Sequence, residues 1–273
     1  MPHPAQIGIG IAALAAVIAI ASQSGFPARR SDAPAGSNKL GQPYLVPNGL
    51  PDSIKLLPPP PAPASPAMAD DLKARETALR LKSSSRYALA VSDAKRDQPA
   101  SVQAFACAFG SDITESGMPT LYRLLGAMRV DVRASTYRAK ERYNRRPPFE
   151  VYRTQVCSPS DAKVLEAEGS YPSARAAVGW AYAIVLANLN PSRRDAIMRR
   201  GAEFGRSRMI CDESWQSDVD AARSLANEDL KRFMENPRFR TDLARARAEV
   251  ASAMRSGIPP TGCKAESIAL TAR

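Results

Sequence analysis

From residue 66 onward, apolar positions recur every three or four residues, the spacing of one helix face. Between Pro119 and Arg142, one stripe holds Leu121, Leu124, Leu125, Met128 and Val132. Pro119 suits a first helical position, where no amide partner is needed. Asp70 to Lys82 opens on acidic residues, which a helix N-terminus favours. Pro191 to Arg208 follows Asn190, a capping residue type. Val219, Ala222, Ala226, Leu230 and Phe233 mark another stripe, and Pro237 to Arg255 one more, closed by Gly257. The segment from Ser173 to Leu189 is apolar nearly all round, but its run is too short for a membrane span and ends at Asn188. It predicts a buried central helix. No segment alternates as a half-buried strand does. The pattern predicts an all-α bundle of roughly eight helices.

Ahead of the periodic region the pattern changes. Ile7 to Ala21 is an apolar run of signal-peptide length, with Ala19-Ile20-Ala21 as a cleavage site, although MPHPAQ before it carries no Lys or Arg. Residues 1–24 are expected to be a signal peptide, residues 25–65 an extended Pro-rich arm, 66–257 the helical domain and 258–273 a tail. The arm ends in LLPPPPAPASP and offers Tyr44, Leu45, Leu50, Ile54, Leu56 and Leu57 as apolar anchors. After cleavage no membrane span remains, and the protein is expected in the periplasm or outside the cell. Four cysteines, Cys107, Cys157, Cys211 and Cys263, suit two disulfides there and have no CxxC spacing.

Composition changes the picture in two ways. The 273 residues carry a formal net charge of +11, so anionic partners are favoured. The one histidine is His3, in the leader. The body therefore has no imidazole, which excludes histidine-ligated metals and any nucleophile–histidine pair. No cofactor and no metal are implied. The basic cluster Arg138, Lys140, Arg142, Arg145 and Arg146 has only Tyr143 as an interleaved aromatic. It reads as a solvated helix face and not as a nucleic-acid site. Trp180 and Trp215 read as core residues.

Three ordered pieces carry chemistry: Lys140 to Phe149 (KERYNRRPPF), Gly169 to Arg175 (GSYPSAR) and Ser207 to Asp218 (SRMICDESWQSD). Together they resemble the bacterial class A non-specific acid phosphatases, of the type-2 phosphatidic acid phosphatase superfamily. LLPPPP, STYRAKERY, GWAYAIVLANLNP and WQSDVDAAR agree, so the resemblance runs from about Tyr44 to about Val250. It implies the all-α fold of that superfamily, phosphate monoester hydrolysis and homo-oligomers. The family pattern is Lys, six residues, Arg-Pro; Pro-Ser-Gly-His; then Ser-Arg, five residues, His, three residues, Asp. Lys and two Arg hold the phosphate, with Ser and a backbone N–H at a helix N-terminus. One His protonates the leaving alcohol, the other attacks phosphorus, and Asp orients the attacking ring.

Carried onto this chain, Lys140, Ser173, Arg208 and Asp218 match. The first motif's Arg falls on Pro147, with Arg145 and Arg146 as neighbours able to substitute. Ala174 replaces Gly and keeps its N–H. Arg175 replaces the acid His, and Ser214 the nucleophile. No catalytic position is intact apart from Asp218. Phosphate binding is expected of Lys140, Ser173, Ala174, Arg175 and Arg208. Arginine keeps its proton at any working pH, so it serves neither as acid nor as base. Serine is shorter than histidine and has no activating imidazole. Losing one member of such a unit costs about 10⁶ in rate elsewhere. The expected function is an exported acid-phosphatase-like protein without catalysis that retains phosphate or anion binding. The alternatives are weak or altered chemistry through Arg175, Ser214 and Asp218, and a structural partner of an active homologue. Asp212 or Glu213 is expected to pair with Arg175 and fill the site; the competing expectation is an open pocket. Cys157 and Cys211 border the second and third motifs, so they are expected to pair, leaving Cys107 with Cys263.

Overall fold

The computed structural model describes Met1 and residues 41–45, 49–256 and 259–272. The leader beyond Met1, the first part of the arm and Gly257 lie outside the described residues. From Gly41 on, the described residues belong to one compact unit. The chain runs through α1 (Ser53–Leu56), α2 (Pro66–Leu79), α3 (Ser85–Ala94), α4 (Gln98–Gln103) and α5 (Ala106–Phe109). Next come α6 (Pro119–Ser135), α7 (Tyr137–Tyr143), α8 (Pro148–Tyr152), α9 (Ala162–Glu168) and α10 (Ala174–Leu189). The last four are α11 (Arg194–Ile210), α12 (Gln216–Glu235), α13 (Pro237–Ser256) and α14 (Cys263–Thr271). No strand occurs among the described residues, as the all-α expectation has it. The additional short helices α1, α4, α5, α7, α8 and α9 hold seven residues or fewer, too few to show a periodicity.

Local chemistry explains the boundaries. Ser65 and Asp97 accept from Met68 and Ala100 amides and cap α2 and α4, each of which carries a proline in its first turn. At the start of α6, the Glu249 carboxylate accepts from the Thr120 and Leu121 amides at 2.9 and 3.1 Å. The helix expected to reach Arg142 breaks at Thr136, whose hydroxyl donates back to the Arg133 carbonyl at 2.7 Å. Such a back-bond competes with the helical ladder. Asn190 does not cap α11; its amide donates to the Phe109 carbonyl at 2.8 Å and ties two helix ends together.

Twelve residues of α10 are buried, so this helix is the expected central element. It packs on α6, α11 and α12. Its approach to α11 is close because glycines line it. A Cβ on Gly179 would lie 2.3 Å from the Phe204 ring, and one on Gly201 2.4 Å from the Ala183 methyl. Overpacking of that kind costs about 1–3 kcal/mol. Trp215 is core, whereas Trp180 is only partly buried and donates to Asn227 at 3.1 Å. In the arm, Tyr44, Leu45 and Leu57 are buried and Leu50 packs on the core, but Leu56 is 46% exposed at the end of α1. The Tyr44 and Leu45 amides donate to Asp131 at 2.6 and 3.2 Å. The expected tail is helical: α14 packs on α3. Disulfides join Cys107 to Cys263 and Cys157 to Cys211, the expected pairing. They span 156 and 54 residues, worth on the order of 4 kcal/mol each in the chain-entropy model.

One buried carboxyl makes stability depend on pH. Asp229 of α12 accepts from Ser135 at 2.9 Å, and its Oδ1 has no hydrogen-bond partner among the described residues. Burial, and then the nearby charge of Asp131, push its pKa up to about 8. A carboxyl raised in the fold favours the fold fully below its unfolded pKa of about 4, and that contribution is lost as pH rises through about 8. The melting temperature is therefore expected to fall between pH 5 and pH 9. In Asp229→Asn that fall is expected to shrink, with the variant roughly 1–3 kcal/mol more stable than the unmodified chain at pH 9. Calorimetry across the range checks this.

Candidate functional site

The segment before α10 turns through a cis Tyr171–Pro172 peptide and brings Ser173 to the N-cap position. Arg175 follows in the first turn. Because α11 packs against α10, its last turn carries Arg208 to the same end, and the connection to α12 adds Glu213 and Ser214. Lys140 arrives from α7. These side chains surround a cavity of about 30 Å³. Its lining includes Lys140, Ser173, Ala174, Arg175, Arg208 and Ser214, together with Arg96, Arg133, Glu168 and Glu213. All five expected phosphate-binding positions and the replaced nucleophile thus meet in one place. Asp218 does not line it.

Each charge has a definite setting. Lys140 donates from Nζ to the Gly169 carbonyl at 2.6 Å. Burial pushes its pKa down to about 8, opposed by the charges of Glu168 and Asp218. Arg208 is 1% exposed and pairs through Nη1 with Glu213 at 2.9 Å. Arg175 donates from Nη2 to the carbonyls of Asp93 and Lys95, at 2.6 and 2.7 Å. A cation on the last carbonyls of α3 also meets the negative end of that helix. Burial and then neighbouring Arg208 press the Arg175 pKa down. A guanidinium starts high enough to stay charged at neutral pH. The Ser214 hydroxyl donates to the Ser173 hydroxyl at 3.0 Å.

Asp218 sits at the start of α12. It accepts from Arg145 at 2.6 Å and from the Trp215 amide at 2.8 Å, and is fully buried. Its contacts hold α12 in place rather than the Ser214 hydroxyl.

Several expectations are corrected by these partners. Neither Asp212 nor Glu213 pairs with Arg175. Asp212 takes a two-pronged contact from Arg75 of α2, both distances 2.7 Å, and Glu213 takes Arg208. Arg145 and Arg146 do not replace the guanidinium missing at Pro147. Arg145 reaches Asp71 and Asp218, and Arg146 reaches Glu150, away from the cavity. Arg96 and Arg133 line the cavity instead. Arg133 lies seven residues before Lys140, a spacing that puts both on one side of the unbroken helix the sequence predicts, although the helix breaks between them at Thr136. Arg96 follows α3, and nothing local in the sequence marks it.

No family model matches the chain. Over 209 residues it is 40% identical to the non-specific acid phosphatase of Providencia stuartii, covering 76% of this chain and 84% of that protein. This chain belongs to the non-specific acid phosphatase family. Within that family it is also 34% identical to the acid phosphatase of Zymomonas mobilis over 221 residues, 80% of this chain and 83% of the relative. To the non-specific acid phosphatase of Salmonella typhimurium it is 34% identical over 210 residues, 77% of this chain and 84% of the relative. What this acid phosphatase family member brings to its cavity is a set of cations, two carboxylates and three hydroxyls. Such a set can grip an oxyanion through charge-assisted hydrogen bonds.

The buried Arg208–Glu213 pair offers a direct test. Glu213→Ala leaves a buried guanidinium without its carboxylate, which costs about 3–5 kcal/mol. The variant is expected to melt well below the unmodified chain. Adding phosphate is expected to recover more of the melting temperature in the variant than in the unmodified chain, read by thermal unfolding.

Proposed function

We propose that this chain is an exported, anion-binding member of the acid phosphatase family in which phosphate ester hydrolysis has been lost. The observation that carries the reading is the state of Ser214. Its hydroxyl stands at the nucleophile's position and, among the described residues, bonds only to Ser173 and has no base beside it, because Asp218 is held by Arg145 and the Trp215 amide. Arg175, at the acid's position, is turned to two backbone carbonyls and, as a guanidinium, keeps its protons at neutral and acid pH. The body of the chain contains no histidine that could take over either task.

Anion binding is supported by the surplus of cations around the cavity and by the hydroxyl and amide at the start of α10. Export is supported by two disulfides and the apolar leader, and no helix among the described residues is long and apolar enough to cross a membrane. The basic stretch is a poor nucleic-acid surface. Lys140 is buried, Arg145 is 10% exposed, and Arg138 and Arg146 are paired with Asp52 and Glu150.

The reading of weak chemistry through Arg175, Ser214 and Asp218 meets the difficulty that Asp218 and Ser214 do not share a hydrogen bond. Turnover of p-nitrophenyl phosphate between pH 4 and 9 separates the two. The unmodified chain is expected to show no turnover above buffer and no covalent phospho-adduct by intact mass. Ser214→His with Arg175→His is expected to raise turnover above that of the unmodified chain. Brisk hydrolysis by the unmodified chain that disappears in Ser214→Ala overturns the proposal.

A further inference from the structure

The cavity holds more positive charge than one phosphate seat needs. Lys140, Arg175 and Arg208 supply the expected seat, with the Ser173 hydroxyl. Arg96 and Arg133 stand on the same cavity, and the partner they share is Glu168, at 3.6 and 3.5 Å. Five cations therefore face two carboxylates, Glu168 and Glu213. Three of these arginines carry buried N–H groups without a hydrogen-bond partner among the described residues: Nη1 of Arg96, Nε of Arg175 and Nε of Arg208. Arg208 itself is 1% exposed, so this donor faces the interior. A buried donor ordinarily has an acceptor, and these three belong to arginines that line one space.

The two resident carboxylates are held unequally. Glu213 meets Arg208 at 2.9 Å, with both side chains almost wholly buried. Among the described residues Glu168 makes only the two longer contacts, and its side chain is 28% exposed. It is the last residue of α9, a seven-residue helix with no buried residue. Moving Glu168 disturbs little packing, whereas moving Glu213 uncovers a buried charge. A ligand's second anionic group reaches Arg96 and Arg133 only where a resident group gives way, and Glu168 is the group placed to do so.

We propose that Arg96 and Arg133 form a second anion seat beside the first, that Glu168 fills it with the chain's own carboxylate, and that the ligand displacing it carries two anionic groups, as a diphosphate does. This rests on the anion-binding reading of the cavity. A single phosphate occupies the first seat and leaves Glu168 in the second. A diphosphate replaces Glu168 at the second seat while its other phosphoryl group takes the first. It also matches the charge: with Glu168 swung out, five cations and Glu213 leave a formal surplus of four (five minus one). Two linked phosphoryl groups carry roughly three negative charges near neutrality.

Isothermal titration of the full chain with inorganic phosphate and with inorganic diphosphate, at one pH and ionic strength, tests this. Diphosphate is expected to bind at least about ten-fold more tightly than phosphate. In Arg96→Gln with Arg133→Gln the preference is expected to fall to within about two-fold. Glu168→Gln, a change on an exposed short helix, is expected to tighten diphosphate several-fold by removing the internal competitor. Equal affinities in the unmodified chain, or a preference that survives the double substitution, overturn the second seat while leaving anion binding intact. Binding of neither anion overturns the anion-binding reading and the second seat with it. Circular dichroism melts confirm that each variant is folded.

Discussion

Asp93 is the interaction on which the interior depends. At the end of α3 its buried carboxylate accepts from both terminal nitrogens of Arg200 and from the Ser207 hydroxyl, the latter at 2.6 Å. Its backbone carbonyl receives Arg175. Arg86 completes the group by donating to Glu203 and to the same Ser207 hydroxyl. Two wholly buried guanidiniums are tolerable only because carboxylates and carbonyls are positioned around them. The arrangement sets the distance between α3 and α11. It thereby decides where the carbonyls that hold Arg175 stand, and with them one wall of the cavity.

A consequence is that the cavity's charge does not follow pH as an imidazole site's would. Histidine changes charge between about pH 5 and 8, whereas arginine does not. Of the five cations around the cavity, Lys140 has its pKa pushed nearest to neutrality, and its ammonium is tied to the Gly169 carbonyl. Over the acid range the cavity stays cationic, a property suited to holding anions and unsuited to passing protons.

Much of this was legible in the sequence because it is local or ordered. The α10 pattern is apolar over a dozen residues and predicts the central helix. The three motifs predict that Lys140, Ser173, Arg175, Arg208 and Ser214 meet. The cysteines flanking the motifs predict the pairing. The rest was not legible, for a common physical reason. The choice of partner for a buried charge is made by elements far apart in the chain. Asp212 and Glu213 are neighbours, yet one takes Arg75 from α2 and the other Arg208 from α11. Arg145 lies beside the vacated Pro147 position, yet Asp71 and Asp218 draw it elsewhere. Arg96 and Glu168 are joined only by tertiary packing. The short helices escaped because a few residues cannot display a period.

Arg175 shows how a replacement becomes part of the frame. It occupies the position where the family pattern has a histidine, and it bridges the start of one helix to the end of another. Placing an imidazole there would leave the Asp93 and Lys95 carbonyls without this donor. An arginine at this position is in that sense held by the architecture around it, which uses its N–H groups as a tie between two helices.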